Sequence, residues 1–171
     1  MALWILSFCI MAIETWGSIY FFDTFLKKKN VGWLGKCRYV ALYIFCFAGA
    51  YLGGYFVPMG IKVLLMVLIL MAFCAVFYEA EWKQYIFFSV LNYSLLFLTD
   101  LFMLQMENML VSKSDVLTFL LLPSKMAWLC VVFIVRKIWK GKSNYNELSR
   151  QEWQKFCMIP LLTAASMLLM Y

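Results

Sequence analysis

The feature that most constrains this chain is the spacing of its apolar runs. Six of them, at about 3–26, 39–57, 61–78, 84–106, 116–136 and 155–171, are separated by short polar segments. A helix needs roughly 20 mostly apolar residues to cross a bilayer, and these runs approach or exceed that length. The spacing predicts an all-α fold: a polytopic bundle of about six spanning helices, forming one transmembrane domain over 1–171. The chain is 65% hydrophobic and 14% charged. Soluble domains are about half apolar and a quarter charged, so the excess apolar surface must face lipid or a partner.

The first run carries Glu14, lacks a basic leading segment and has no small-residue cleavage site before Lys27–Lys29. It reads as a retained helix and not as a cleaved signal peptide. Val57-Pro58-Met59-Gly60 supplies turn residues between the second and third runs. Ser149-Arg150-Gln151-Glu152 has the form of a capping box leading into the sixth.

Orientation follows from the basic residues in the connections. Lys27, Lys28, Lys29, Lys36 and Arg38 follow the first run, and Arg136, Lys137, Lys140, Lys142, Arg150 and Lys155 follow the fifth. With Lys83 they give twelve on one side, against Lys62 and Lys113 on the other. The basic side is therefore expected to be cytoplasmic and the N-terminus outside, in a multi-pass protein of the cell membrane. The net charge of +6 is accounted for by these loops, so membrane lipid and not nucleic acid is the expected partner. Most tryptophans fall near the ends of the runs, as an interfacial aromatic belt requires.

The chain has no histidine. That removes the commonest general base, phosphoacceptor and metal ligand together. Its six cysteines occur singly and read as free thiols. No nucleotide-binding, metalloprotease or hydrolase motif is present. No catalytic residue, metal site or cofactor is expected, and the chain does not read as an enzyme.

Ionisable groups within apolar runs are costly and mark function by default. At a rise of 1.5 Å per residue, Glu14 lies about 16 Å, Lys125 about 14 Å and Asp100 about 9 Å below the outer helix ends. A buried lysine without a carboxylate is expensive. Lys125 is therefore expected to pair with Asp100, Glu14 or both, either to fix packing or to serve ligand sensing or transport. Pro123, two residues earlier, is expected to kink the fifth helix. Asp23 reads as an ordinary surface pair with Lys27 at i+4. Gly49, Gly53 and Gly54 allow close helix contact in the second run.

The pattern resembles the N-terminal membrane sensor region of AgrC-like peptide-sensing histidine kinases of the GHKL type from Gram-positive bacteria. Four segments carry the likeness: Phe21 through Lys29, Leu95 through Phe102, Pro123-Ser124-Lys125 through Arg136-Lys137, and Leu148 through Trp153 with Ile159-Pro160-Leu161. The resemblance implies quorum-sensing signal transduction in a two-component system: a membrane receptor, usually a homodimer, that binds an extracellular peptide and relays the event inward. The phosphoacceptor helix and ATP-binding domain of that family are absent. A cytoplasmic kinase would require an odd number of spans from an outside N-terminus. Six spans therefore read either as a receptor fragment ending before a last helix or as a stand-alone protein. Two other readings remain open: a substrate-binding membrane subunit of a vitamin-type transporter, and a small membrane accessory or immunity protein.

Overall fold

A computed structural model describes residues 2–30, 32–56, 59–110, 117–139 and 158. The protein is mostly helical over these residues. Its elements are α1 (Ala2–Phe25), β1 (Lys27–Lys28), a 3-10 turn (Gly32–Lys36), α2 (Arg38–Phe56), α3 (Met59–Phe77), β2 (Tyr78–Glu79), α4 (Trp82–Leu110) and α5 (Leu117–Trp139). Five apolar runs are thus helices at nearly their expected bounds. The sixth, 155–171, lies outside the described residues except for Met158. Among the described residues, Trp82–Phe102 is the one stretch that by itself is long and apolar enough to cross a bilayer, while the apolar stretches Arg38–Gly49 and Ile61–Phe77 are shorter.

The chain divides into two compact units, Met1–Val90 and Leu91–Tyr171. The boundary falls within α4, where composition gives no sign of a linker.

In the first unit α2 packs against both α1 and α3. On α1, Thr15, Ser18, Phe22 and Phe25 are buried at steps of three and four residues, the spacing that keeps one helix face turned inward. On α3 the buried set is Leu70, Phe73, Cys74 and Phe77. Aromatic rings form the centre: Phe25 stacks on Phe88 with centroids 4.8 Å apart, and Phe21 meets Phe25 at 4.8 Å. Phe22 adjoins Phe73 and Tyr78. A Cβ at Gly49 of α2 would stand 2.5 Å from Ile69 Cδ1 on α3, so a larger residue there would require that isoleucine to turn.

Two connections meet at one end of this unit. The segment after α1 pairs antiparallel with the segment after α3, Lys27 opposite Glu79 and Lys28 opposite Tyr78. Lys29 N–H continues the contact to the Phe77 carbonyl at 3.0 Å. Gly32 stands at φ +56°, a left-handed conformation that glycine adopts without steric cost. At the start of α4, Glu81 N–H is capped by Gln84 Oε1 at 3.0 Å, one half of a capping box.

Large apolar side chains lie on the outside of the helices as well as in the core. Val40, Ile44 and Phe45 on α2, Ile61, Leu64 and Leu68 on α3, Phe102 on α4 and Ile134 on α5 are all at least half exposed. The buried set meanwhile includes Thr15, Ser18, Ser89, Asn92, Ser94, Ser124 and Lys125. Soluble monomers rarely leave broad contiguous apolar faces uncovered.

Candidate functional site

The second unit holds a buried cation. On α5, Ser124, Lys125, Trp128, Leu129 and Val132 turn inward, the i, i+3, i+4, i+7 recurrence of one helical face. The Lys125 side chain is 5% exposed, and its Nζ donates to Asp100 Oδ1 at 2.7 Å and Oδ2 at 2.6 Å. Asp100 stands on α4, 36% exposed. Short charge-assisted bonds of this kind are the strong class. They are needed here, because taking an ammonium out of water costs several kcal/mol that a paired carboxylate must offset.

Pro123 lies inside α5, two residues before the lysine. It contributes no N–H to the helical ladder, so the helix is weakened beside the charge. Trp128, one turn further on, is fully buried, and its indole N–H has no acceptor among the described residues. The structure thus brings Asp100 and Lys125 into direct contact. Glu14 is half-buried on α1, in the first unit.

The first unit holds a second ionic cluster, centred on Asp23 at the end of α1. Arg38, the first residue of α2, donates from Nη1 to Asp23 Oδ1 at 2.8 Å and from Nη2 to Oδ2 at 2.9 Å. The Tyr78 hydroxyl donates to Oδ1 at 2.8 Å, and Lys28 Nζ lies 3.1 Å from Oδ2. Side chains 5, 15 and 55 residues away therefore converge on one carboxylate that is 11% exposed. Burial works against the Arg38 charge, but the Asp23 hydrogen bonds and charge outweigh it, so its pKa is raised. The Arg38 guanidinium also lies over the Tyr39 ring, 5.1 Å from its centroid.

This cluster corrects the expected pair of Asp23 with Lys27. Lys27 bonds Glu79 instead, at 3.2 Å across the two short strands. The i+4 geometry is unavailable because α1 ends at Phe25 and the chain is already extended at Lys27. A charged residue opening α2 at Arg38 was the available signal for a partner. The described cysteines, Cys9, Cys37, Cys46, Cys74 and Cys130, are all free thiols, and Cys157 lies outside the described residues.

No family model, curated protein or solved structure matches the chain.

Proposed function

We propose that this chain is a multi-pass membrane sensor module, which binds an extracellular peptide and relays the event across the bilayer through α4 and α5. The observation that carries the reading is the ion pair between Lys125 and Asp100 beside Pro123. Intramembrane charges are expensive and are kept where a pathway, a ligand or a switch uses them. A charge pair linking two helices, one of them weakened by proline, is a contact that a ligand can open or close. Its state would set the relation of α5 to α4.

The membrane placement is supported by the apolar outer faces of α2 and α3 and by the polar groups turned inward. It is supported too by the pairing of β1 with β2, which gathers Lys27, Lys28 and Lys29 with the α3–α4 connection at one end of the first unit. That is the arrangement a one-sided basic loop pattern requires. Six spans, an outside N-terminus and a homodimer are parts of the same proposal.

Two measurements test it. Expressed in bacteria, the chain should stay in the membrane fraction through an alkaline wash; release into the soluble fraction overturns the membrane reading. Reconstituted in nanodiscs, it should bind cyclic peptides from Gram-positive culture medium, and Asp100→Asn should change that affinity. Binding of a water-soluble vitamin in place of any peptide would replace the sensor by a transporter subunit.

A further inference from the structure

Two cavities share a lining residue at the basic end of the first unit, and the rest of their walls are opposites. One is an open cleft of about 490 Å³ walled by Lys28, Lys29, Lys36 and Arg38, with Tyr39 and Phe77. The other is a groove of about 480 Å³ between α2 and α3, with Ala41 and Phe45 on one side and Leu68, Ala72 and Val76 on the other. Phe77 belongs to both walls.

The cleft carries more positive charge than the protein itself neutralises. Asp23 engages Arg38 and Lys28, whereas Lys29 and Lys36 make no ion pair among the described residues. Arg38 is committed to its bidentate contact, which holds the guanidinium still. These two lysines, without an ion pair among the described residues, are point charges on flexible stems suited to a phosphate group. The groove offers no such group anything polar. It suits a hydrocarbon chain, and it adjoins the cationic cleft at Phe77.

We propose that the two cavities form one binding site for an anionic phospholipid, with the phosphate in the cationic cleft and an acyl chain along the α2–α3 groove. A soluble phosphate ester would use the first cavity and leave the second idle. A zwitterionic choline lipid could place its phosphate in the first cavity and a chain in the second, but would bring its quaternary ammonium against a cleft with excess positive charge. A phospholipid with net negative charge satisfies both walls. The site rests on the membrane placement proposed above. It would tie the basic end of the unit to the lipid headgroup layer by one specific molecule, beyond the diffuse attraction of loop lysines for an anionic surface.

The test is native mass spectrometry of the purified full chain, released from mild detergent after incubation with phosphatidylglycerol, phosphatidylcholine or inorganic phosphate. The wild-type chain should retain one phosphatidylglycerol in clear preference to phosphatidylcholine. Each lysine removed should weaken retention about fivefold, so Lys29→Gln with Lys36→Gln should nearly abolish it, and the corresponding arginine pair should restore it. Lys27→Gln, outside the cleft, should leave it unchanged. Ala72→Trp, which fills the groove, should release the lipid. Equal retention of the two lipids, or indifference to the double glutamine variant, shows an annular lipid only and overturns the site. Inorganic phosphate retained as well as phosphatidylglycerol, with Ala72→Trp silent, overturns it in favour of a soluble ligand. A chain that survives the alkaline wash yet holds no lipid defeats this inference alone; one that washes out defeats the membrane placement as well.

Discussion

Asp23 in the first unit and Asp100 in the second are both acidic residues within apolar helices, yet they are held differently. Asp23 collects an arginine fork, a phenol and a lysine from three separate segments. Asp100 receives one ammonium through both of its oxygens, and the lysine side chain is the more deeply buried partner. In the first case the carboxylate is the hub and its donors reach toward an open cleft. In the second the cation is enclosed and the carboxylate is the more accessible group. The comparison teaches that a hub with several donors locks elements together, whereas a single contact to a buried charge can be opened by one event.

The largest effect should come from opening that single contact. Asp100→Asn withdraws the carboxylate from a lysine that is 5% exposed and should cost about 3 kcal/mol of stability, read as a lowered midpoint of thermal unfolding in detergent. Exchanging the two residues, Asp100→Lys with Lys125→Asp, should recover much of the loss that either reversal causes alone. If the double variant is no better than the singles, the pair is not coupled and the contrast fails.

Asp23→Asn should cost less, about 2 kcal/mol, although it disturbs more hydrogen bonds. The released Lys28 is 56% exposed, and both it and Arg38, 14% exposed, line the open cleft, where water can solvate them. A loss larger than that of Asp100→Asn would reverse the ranking. Tyr78→Phe removes one donor from the hub and should cost about 1.5 kcal/mol, typical of a hydrogen bond to a charged group. Unchanged unfolding would show that the arginine and lysine hold Asp23 without the phenol. The smallest effect belongs to Lys27→Gln. Its pair with Glu79 joins side chains 82% and 50% exposed, and such pairs contribute about 0.5 kcal/mol or less. It sets the baseline for the other three.

The same contrast explains what could be read from the sequence. Lys125 and Asp100 were legible because charged residues stand out in apolar runs, and because a constant helical rise converts sequence position into depth. The contact needs only two adjacent helices and no knowledge of the connections. Asp23 was not legible in the same way. Its partners lie 5, 15 and 55 residues away, and what gathers them is a pair of two-residue strands too short to carry any alternation of apolar and polar residues. The i+4 rule pointed to Lys27, but it holds only while the helix lasts, and α1 stops two residues too soon. Helix positions followed from apolar runs alone. No comparable signal marks the unit boundary within α4, because no break in composition accompanies it.

The pairing of β1 with β2 has a mechanical consequence. It fastens the end of α1 to the end of α3 by backbone hydrogen bonds, with the Phe77–Lys29 contact beside it. A joint that is fixed at one end of two long rods turns any relative motion into rotation about that joint. A helix of the length of α1 extends about 36 Å, so a tilt of about 5° carries its far end through about 3 Å, while the strand pair hardly moves. A displacement at the far ends therefore strains the packing through α2, where Phe8 stacks on Phe47, far more than it strains the short clasp that serves as the fulcrum.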